Sequence, residues 1–204
     1  MTDYKNLKLI ATSNPHIRSN DTTRSIMLDV IIAMLPALIW SVVEFGVRAI
    51  AVTLVSVAGS VFFEWLYRNI LKKPQSVGDL SAVVTGMLLS FVCPVNVAYW
   101  QILIGDAFAI IMVKQLFGGI GKNFLNPALA GRAFMLASFA STMSGNWIDP
   151  AVSKAGIAST ADIVTAATPL TYLKGDDIAA TFQTLTETYS VGDMFLGKCG
   201  GSLG

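Results

Sequence analysis

Between Leu80 and Gly105 the chain runs 26 residues without a charged side chain. A helix needs about 20 apolar residues to cross a hydrocarbon layer of about 30 Å. Runs of this kind read as membrane-spanning helices, in which every backbone polar group is satisfied within the structure. Composition agrees: charged residues make up 13% of the 204 residues and mean hydropathy is +0.61, whereas soluble domains carry about a quarter charged residues. The 14 basic and 13 acidic side chains leave a net charge of +1. No basic excess is available to neutralise a row of phosphates, which argues against a nucleic-acid partner. Cys93 and Cys199 have no second Cys or His at metal-ligand spacing, so neither a zinc site nor a cluster is read from this chain.

The expected fold is all-α, a multi-pass transmembrane bundle of about five spans, some short or broken, with an extracytoplasmic loop region. Three regions are expected: a polar cytoplasmic arm over 1–25, a helical membrane domain over 26–143 and an extracytoplasmic segment over 144–204. The first span covers Ile26 to Gly46, with Asp29 and Glu44 near its ends and a kink expected at Pro36. The second covers Ala49 to Phe63 and runs on to the interfacial pair Trp65 and Tyr67. The uncharged run from Leu80 splits at Cys93-Pro94-Val95-Asn96. That leaves a third helix of about 14 residues, roughly 21 Å at 1.5 Å per residue, which suits a half-helix or one packed inside protein. The fourth helix covers Ala98 to Phe117 and the fifth Asn126 to Thr142. With the N-terminus inside, the inner segments hold Lys5, Lys8, Arg18, Arg24, Arg68, Lys72, Lys73, Lys114, Lys122 and Arg132, and the outer turns only Arg48. Five crossings then place the region after residue 143 outside.

Few residues carry chemistry by pattern alone. Gly118-Gly119-Ile120-Gly121-Lys122-Asn123 fails as a phosphate loop, because Leu116 stands where Gly is needed and Asn123 where Ser or Thr is needed. It reads as a tight turn, with Asn126-Pro127 opening the next helix. Asp106 falls near mid-span of the fourth helix. A carboxylate there costs roughly 2.5–3.5 kcal/mol unless protonated, paired or hydrated. It is either a proton or cation site on an ion pathway, or a carboxyl group bonded to a neighbouring helix or partner subunit. His16, the lone histidine, reads as a surface or interface residue in the polar arm. Asp162-Ile163-Val164-Thr165-Ala166-Ala167-Thr168-Pro169-Leu170 is, by composition, a Thr- and Ala-rich loop without assignable function.

Four separated blocks are more specific: Ser13-Asn14-Pro15-His16-Ile17-Arg18; Ile26-Met27-Leu28-Asp29-Val30; Asp79-Leu80-Ser81-Ala82-Val83-Val84-Thr85-Gly86; and Gly121-Lys122-Asn123-Phe124-Leu125-Asn126-Pro127-Ala128. In this order they resemble the RnfD family, a membrane component of Rnf ion-translocating electron-transport complexes. That family is similar to the NqrB component of the sodium-translocating NADH:quinone reductase. The final Gly200-Gly201-Ser202-Leu203-Gly204 resembles the opening of a family motif that normally runs on into further membrane helices, so the resemblance covers an N-terminal part of the family's length.

The resemblance implies a flavoprotein of the bacterial cytoplasmic membrane. Family members carry FMN bonded through a phosphoester to the last Thr of a pattern that falls here on Asp162, Thr165, Ala166, Ala167 and Thr168, followed by Pro169. Thr168 is the expected acceptor; Ala166 stands where Gly or Ser is frequent. The Thr hydroxyl attacks the diphosphate of FAD on a separate FAD:protein FMN transferase, and AMP leaves. Further implied partners are the other membrane subunits of the complex, the peripheral ferredoxin- and NAD-side subunits and membrane lipid. The related NqrB component also holds a non-covalent riboflavin, for which the sequence indicates no site. No catalytic residue and no metal ligand is read from the chain itself.

Overall fold

The computed structural model describes residues 21–145, together with Ser190 and Gly192. Every regular element among the described residues is helical. Helix α1 spans Thr23–Phe45 and α2 spans Val47–Ile70. At 23 and 24 residues they extend about 35 Å, and both are apolar enough to cross a membrane. Thr22 caps α1 by accepting from Ser25 N–H at 3.2 Å, and Pro36 lies inside the helix. Gly46 alone separates the two helices, with φ +76° and its N–H donating to the Val42 carbonyl at 2.9 Å. The side chains of Ile32, Ile39, Val43, Leu54 and Phe62 face outward, as groups that meet lipid tails should.

Helix α3 is Ser81–Phe91, 11 residues against the expected 14. It starts later because Leu80 adopts a left-handed φ of +63° and Asp79 Oδ1 accepts from Ser81 N–H at 2.8 Å, capping the first turn. It packs along α2, and the close approach is set by Gly86: a Cβ there would lie 2.8 Å from the Ser56 carbonyl oxygen and from Val57 Cα. The expected break follows, with Cys93, Pro94, Val95 and Val97 all buried. Its carbonyls are satisfied by arginines: Arg48 Nε donates to Val95 O at 3.0 Å and Arg132 Nη1 donates to Val92 O. Irregular backbone at membrane depth is stable only when enclosed in this way.

Helix α4 runs over Tyr99–Ala107 and continues without interruption as a π-helical segment over Phe108–Gln115. The wider register shows in Leu116 N–H donating to Ile111 O at 3.0 Å, five residues back. The Gly118–Gly121 stretch is the expected turn: Gly118, Gly119 and Gly121 all have positive φ. Asn126 caps α5 (Pro127–Ser138), accepting from Ala128 N–H at 3.0 Å. The fifth helix does not continue to Thr142. Phe139, at φ −130° and ψ 48°, interrupts it, and a short α6 covers Ala140–Gly145. Leu89, Ile102, Met135 and Val52 form the apolar core between α2, α3, α4 and α5.

Candidate functional site

Helix α2 carries a polar stripe on an otherwise apolar surface. Thr53, Ser56, Ser60 and Glu64, spaced three or four residues apart, share one face and are all buried. That face meets α3 and α4, and two polar centres lie along it about one helical turn apart, roughly 6 Å between Ser60 and Glu64.

The first centre is Asp106, fully buried on α4. Ser56 Oγ and Ser60 Oγ each lie 2.9 Å from its Oδ1. Ser56 Oγ lies equally 2.9 Å from the Gly86 carbonyl on α3, while Asp106 Oδ2 has no hydrogen-bond partner. Both sequence readings of this residue thus meet a feature here: the carboxyl group is bonded to a neighbouring helix, and one of its oxygens remains unpaired in the interior.

The second centre has no counterpart among the sequence expectations. Lys114 Nζ donates to Glu64 Oε2 at 2.9 Å, and both side chains are buried. Gln115 Nε2 donates to Glu64 Oε1 at 2.7 Å, Ser76 Oγ donates to the same oxygen, and Arg68 Nε sits 3.9 Å from it. Lys114 also donates to Ser81 Oγ, which in turn donates to Asp79 Oδ1. Lys114 therefore does not serve as a free basic residue beyond the helix, and Arg132 is likewise engaged within the bundle. The π-helical segment is what places Lys114 and Gln115 together on Glu64; such segments recur at functional sites. Two acids and two bases meet here in a charge-balanced network, the condition under which buried ions are tolerated.

A cavity of about 350 Å³ opens beside this network, lined by Ser81, Thr85, Lys114, Asn123 and Asn126 with Met27, Ile120 and Phe124 among its apolar walls. Convergent polar groups on an apolar wall are the usual make-up of a small-molecule site. The i, i+3, i+7, i+11 spacing of Thr53, Ser56, Ser60 and Glu64 in the sequence marks the polar face of α2 that both centres share, but not the pairing of Glu64 with Lys114. The residues of the flavin pattern, Asp162, Thr165, Ala166, Ala167, Thr168 and Pro169, and the histidine His16 lie outside the described residues. Of the candidate site residues named from sequence, Asp106 is thus the one among the described residues, beside Ser56, Ser60 and Gly86.

Fold and site together define a helical membrane protein whose interior holds ionisable side chains from α2, α4 and the π-helical segment, where such groups mark function more often than stability. Residues 10–204 match the NQR2, RnfD, RnfE family, and the chain belongs to it. It is 46% identical, over 95% of its length, to the D subunit of the Na⁺-translocating ferredoxin:NAD⁺ oxidoreductase complex of Acetobacterium woodii, covering 56% of that protein. It is 35% identical, over 98% of its length, to the D subunit of the proton-translocating ferredoxin:NAD⁺ oxidoreductase complex of Clostridium ljungdahlii, covering 58% of it. The D subunit of an ion-translocating oxidoreductase complex of Actinobacillus succinogenes is 39% identical over 68% of the chain and is covered over 39% of its own length. The chain thus spans little more than half the length of the first two relatives.

Proposed function

We propose that the chain acts in a membrane subunit of an ion-translocating ferredoxin:NAD oxidoreductase complex. In this reading it carries electrons through FMN bonded to Thr168 and contributes to coupled Na⁺ or H⁺ translocation. The observation that carries the reading is the family match, which extends through the Asp162 to Thr168 pattern, supported by similarity to relatives named as D subunits of such complexes. The bias of basic residues supports an N-terminus in the cytoplasm and Thr168 on the opposite side of the bacterial cytoplasmic membrane. Partners in this reading are the remaining subunits of the complex, surrounding lipid and the transferase that attaches the flavin.

The chain's own contribution is positional. Thr168 offers a hydroxyl preceded by Ala166 and Ala167, small neighbours over which a modifying enzyme can close. A tethered flavin supplies one- and two-electron redox chemistry, while the protein fixes its place. For a second, non-covalent flavin such as riboflavin, the 350 Å³ cavity beside Lys114 is the best-suited described space: Ser81, Thr85, Asn123 and Asn126 offer hydrogen bonds, and Phe124 and Met27 offer apolar walls. Asp106 is the candidate ion-pathway residue, because it is buried with one oxygen unpaired.

The test uses the assembled complex in sealed vesicles. Thr168→Val is expected to abolish ferredoxin-driven NAD reduction and the cation uptake that accompanies it. Unchanged electron transfer would remove the redox role and favour the second reading, an ion-pathway or scaffold subunit with no obligatory flavin, which the buried Asp106 supports.

A further inference from the structure

The oxygens around Asp106 do not balance if its carboxyl group is ionised. Three contacts of 2.9 Å join four oxygens: Gly86 O to Ser56 Oγ, Ser56 Oγ to Asp106 Oδ1, and Ser60 Oγ to the same Oδ1. Each contact needs one hydrogen, and each serine hydroxyl supplies one. With an ionised Asp106, two hydrogens must serve three contacts, and one pair of oxygens is left facing at 2.9 Å with nothing between. A proton on Asp106 Oδ1 completes the set. Oδ1–H donates to Ser56, Ser56 donates to the Gly86 carbonyl, and Ser60 donates to Oδ1.

The opposite oxygen leads to the same state. Asp106 Oδ2 is buried and accepts no hydrogen bond. As half of a carboxylate it would carry an uncompensated desolvation penalty, whereas as the carbonyl oxygen of a neutral acid its penalty is much smaller. A metal cation is a poor substitute for the proton. Hard cations are held by a shell of several oxygens, but the Oδ2 side is closed by Gly59 and Leu103: a Cβ at Gly59 would lie 3.1 Å from Oδ2 and 2.5 Å from Leu103 Cδ2. The charged and titratable groups on the surrounding elements are Arg48, Glu64, Tyr67 and Arg68 on α2, Cys93 beyond α3, Tyr99 on α4, Lys114 on the π-helical segment and Arg132 on α5. Arg48 donates to the Val95 carbonyl and Arg68 to Gln115 Oε1. Glu64 and Lys114 pair with each other, and Arg132 donates to the Val92 carbonyl.

We propose that Asp106 is a proton-binding site, a neutral carboxylic acid that donates to Ser56 in a proton-ordered unit with Ser60 and Gly86, and not a sodium site. The proposal deepens the ion-pathway reading of Asp106 and rests on it for any part in translocation. Losing this proton leaves the carboxylate without enough donors, so release must be accompanied by a shift of α2 or α3 against α4 that admits water or another donor.

Infrared difference spectroscopy on the assembled complex containing the full-length subunit tests the protonation state directly. Wild type minus Asp106→Asn is expected to show the carbonyl stretch of a neutral carboxylic acid. It should lie in the upper part of the usual range, because Oδ2 accepts no hydrogen bond, and should be the same in sodium and in choline buffer. Ser56→Ala keeps the acid and should shift the band by removing the acceptor of its proton, which gives a reading even if Asp106→Asn fails to assemble. Carboxylate stretches in place of the acid band, a band abolished by sodium, or a band unmoved in Ser56→Ala would overturn the proposal. Cation uptake measured on the same Asp106→Asn vesicles separates the underlying reading: intact uptake alongside a wild-type acid band refutes the pathway role and leaves the proton assignment standing.

Discussion

Replacing Lys114 by Met removes the cation from a buried pair while keeping the length of the side chain. Glu64 would lose the 2.9 Å bond from Lys114 Nζ and keep those from Gln115 Nε2 at 2.7 Å and from Ser76 Oγ. Ser81 Oγ would lose its Lys114 donor as well. Breaking one side of a buried pair costs roughly 3–5 kcal/mol, because the partner's charge stays in the interior. Here Arg68 Nε, already 3.9 Å from Glu64 Oε1, can close part of the gap, which puts the expectation at the lower end. A loss of about 3 kcal/mol is roughly a 100-fold fall in the folded-to-unfolded ratio. The assay is a double-mutant cycle on the purified full-length subunit in detergent, read by reversible denaturant unfolding. Glu64→Gln with Lys114→Met should recover more than half of the loss, since the double variant holds no stranded charge. A single-variant cost below about 1 kcal/mol, or a double variant no more stable than Lys114→Met alone, would refute the reasoning that the pair is desolvated and coupled.

Three further outcomes are expected from the same packing. Gly86→Ala places a methyl group 2.8 Å from the Ser56 carbonyl and Val57 Cα and should cost about 1–3 kcal/mol, seen as an earlier unfolding midpoint, with Ala82→Gly on the same helix as a propensity control. Arg132→Met leaves the Val92 carbonyl at the end of α3 without its side-chain donor and should cost roughly 1–3 kcal/mol, with faster amide exchange across residues 92–97 as the local signature. Asn126→Ala removes the cap of α5 and should cost about 1 kcal/mol; Asn126→Asp should retain most of the stability in the same unfolding assay.

What can be read from the sequence divides along the range of the interactions concerned. The first two spans, the break at Cys93-Pro94 and the turn at Gly118–Gly121 depend on local properties: apolar length, a proline's missing donor, a glycine's access to positive φ. All three are found in the structure near their expected places. The start of α3 at Ser81 rather than Leu80 is also local, but it depends on the Asp79 cap and a left-handed leucine, which periodicity does not report. The π-helical stretch over Phe108–Gln115 is illegible in the sequence because an i to i−5 register leaves the residues' apolar character unchanged. The break at Phe139 has no Gly or Pro to announce it.

The same distinction applies to the site. Asp106 stands out because a lone carboxylate in an apolar span is expensive, and the cost identifies it without any knowledge of its neighbours. Its partners Ser56 and Ser60 are 50 and 46 residues away, and serines are unremarkable in a membrane helix. Glu64 and Lys114 each fall near the end of an expected span, where charges ordinarily meet water or headgroups. Their pairing is a tertiary contact across 50 residues, and only the packing of α2 against the π-helical segment turns two interfacial charges into a buried bond.

Whether Thr168 bears a covalently bonded flavin is the point on which the proposed role turns. The most direct measurement is the fluorescence of the full-length subunit, isolated from its native host, on a denaturing gel, followed by peptide mass mapping. A fluorescent band, the mass of FMN on the peptide containing Thr168, and loss of both in Thr168→Val are expected. A dark wild-type band with an unmodified Thr168 peptide would contradict the redox role.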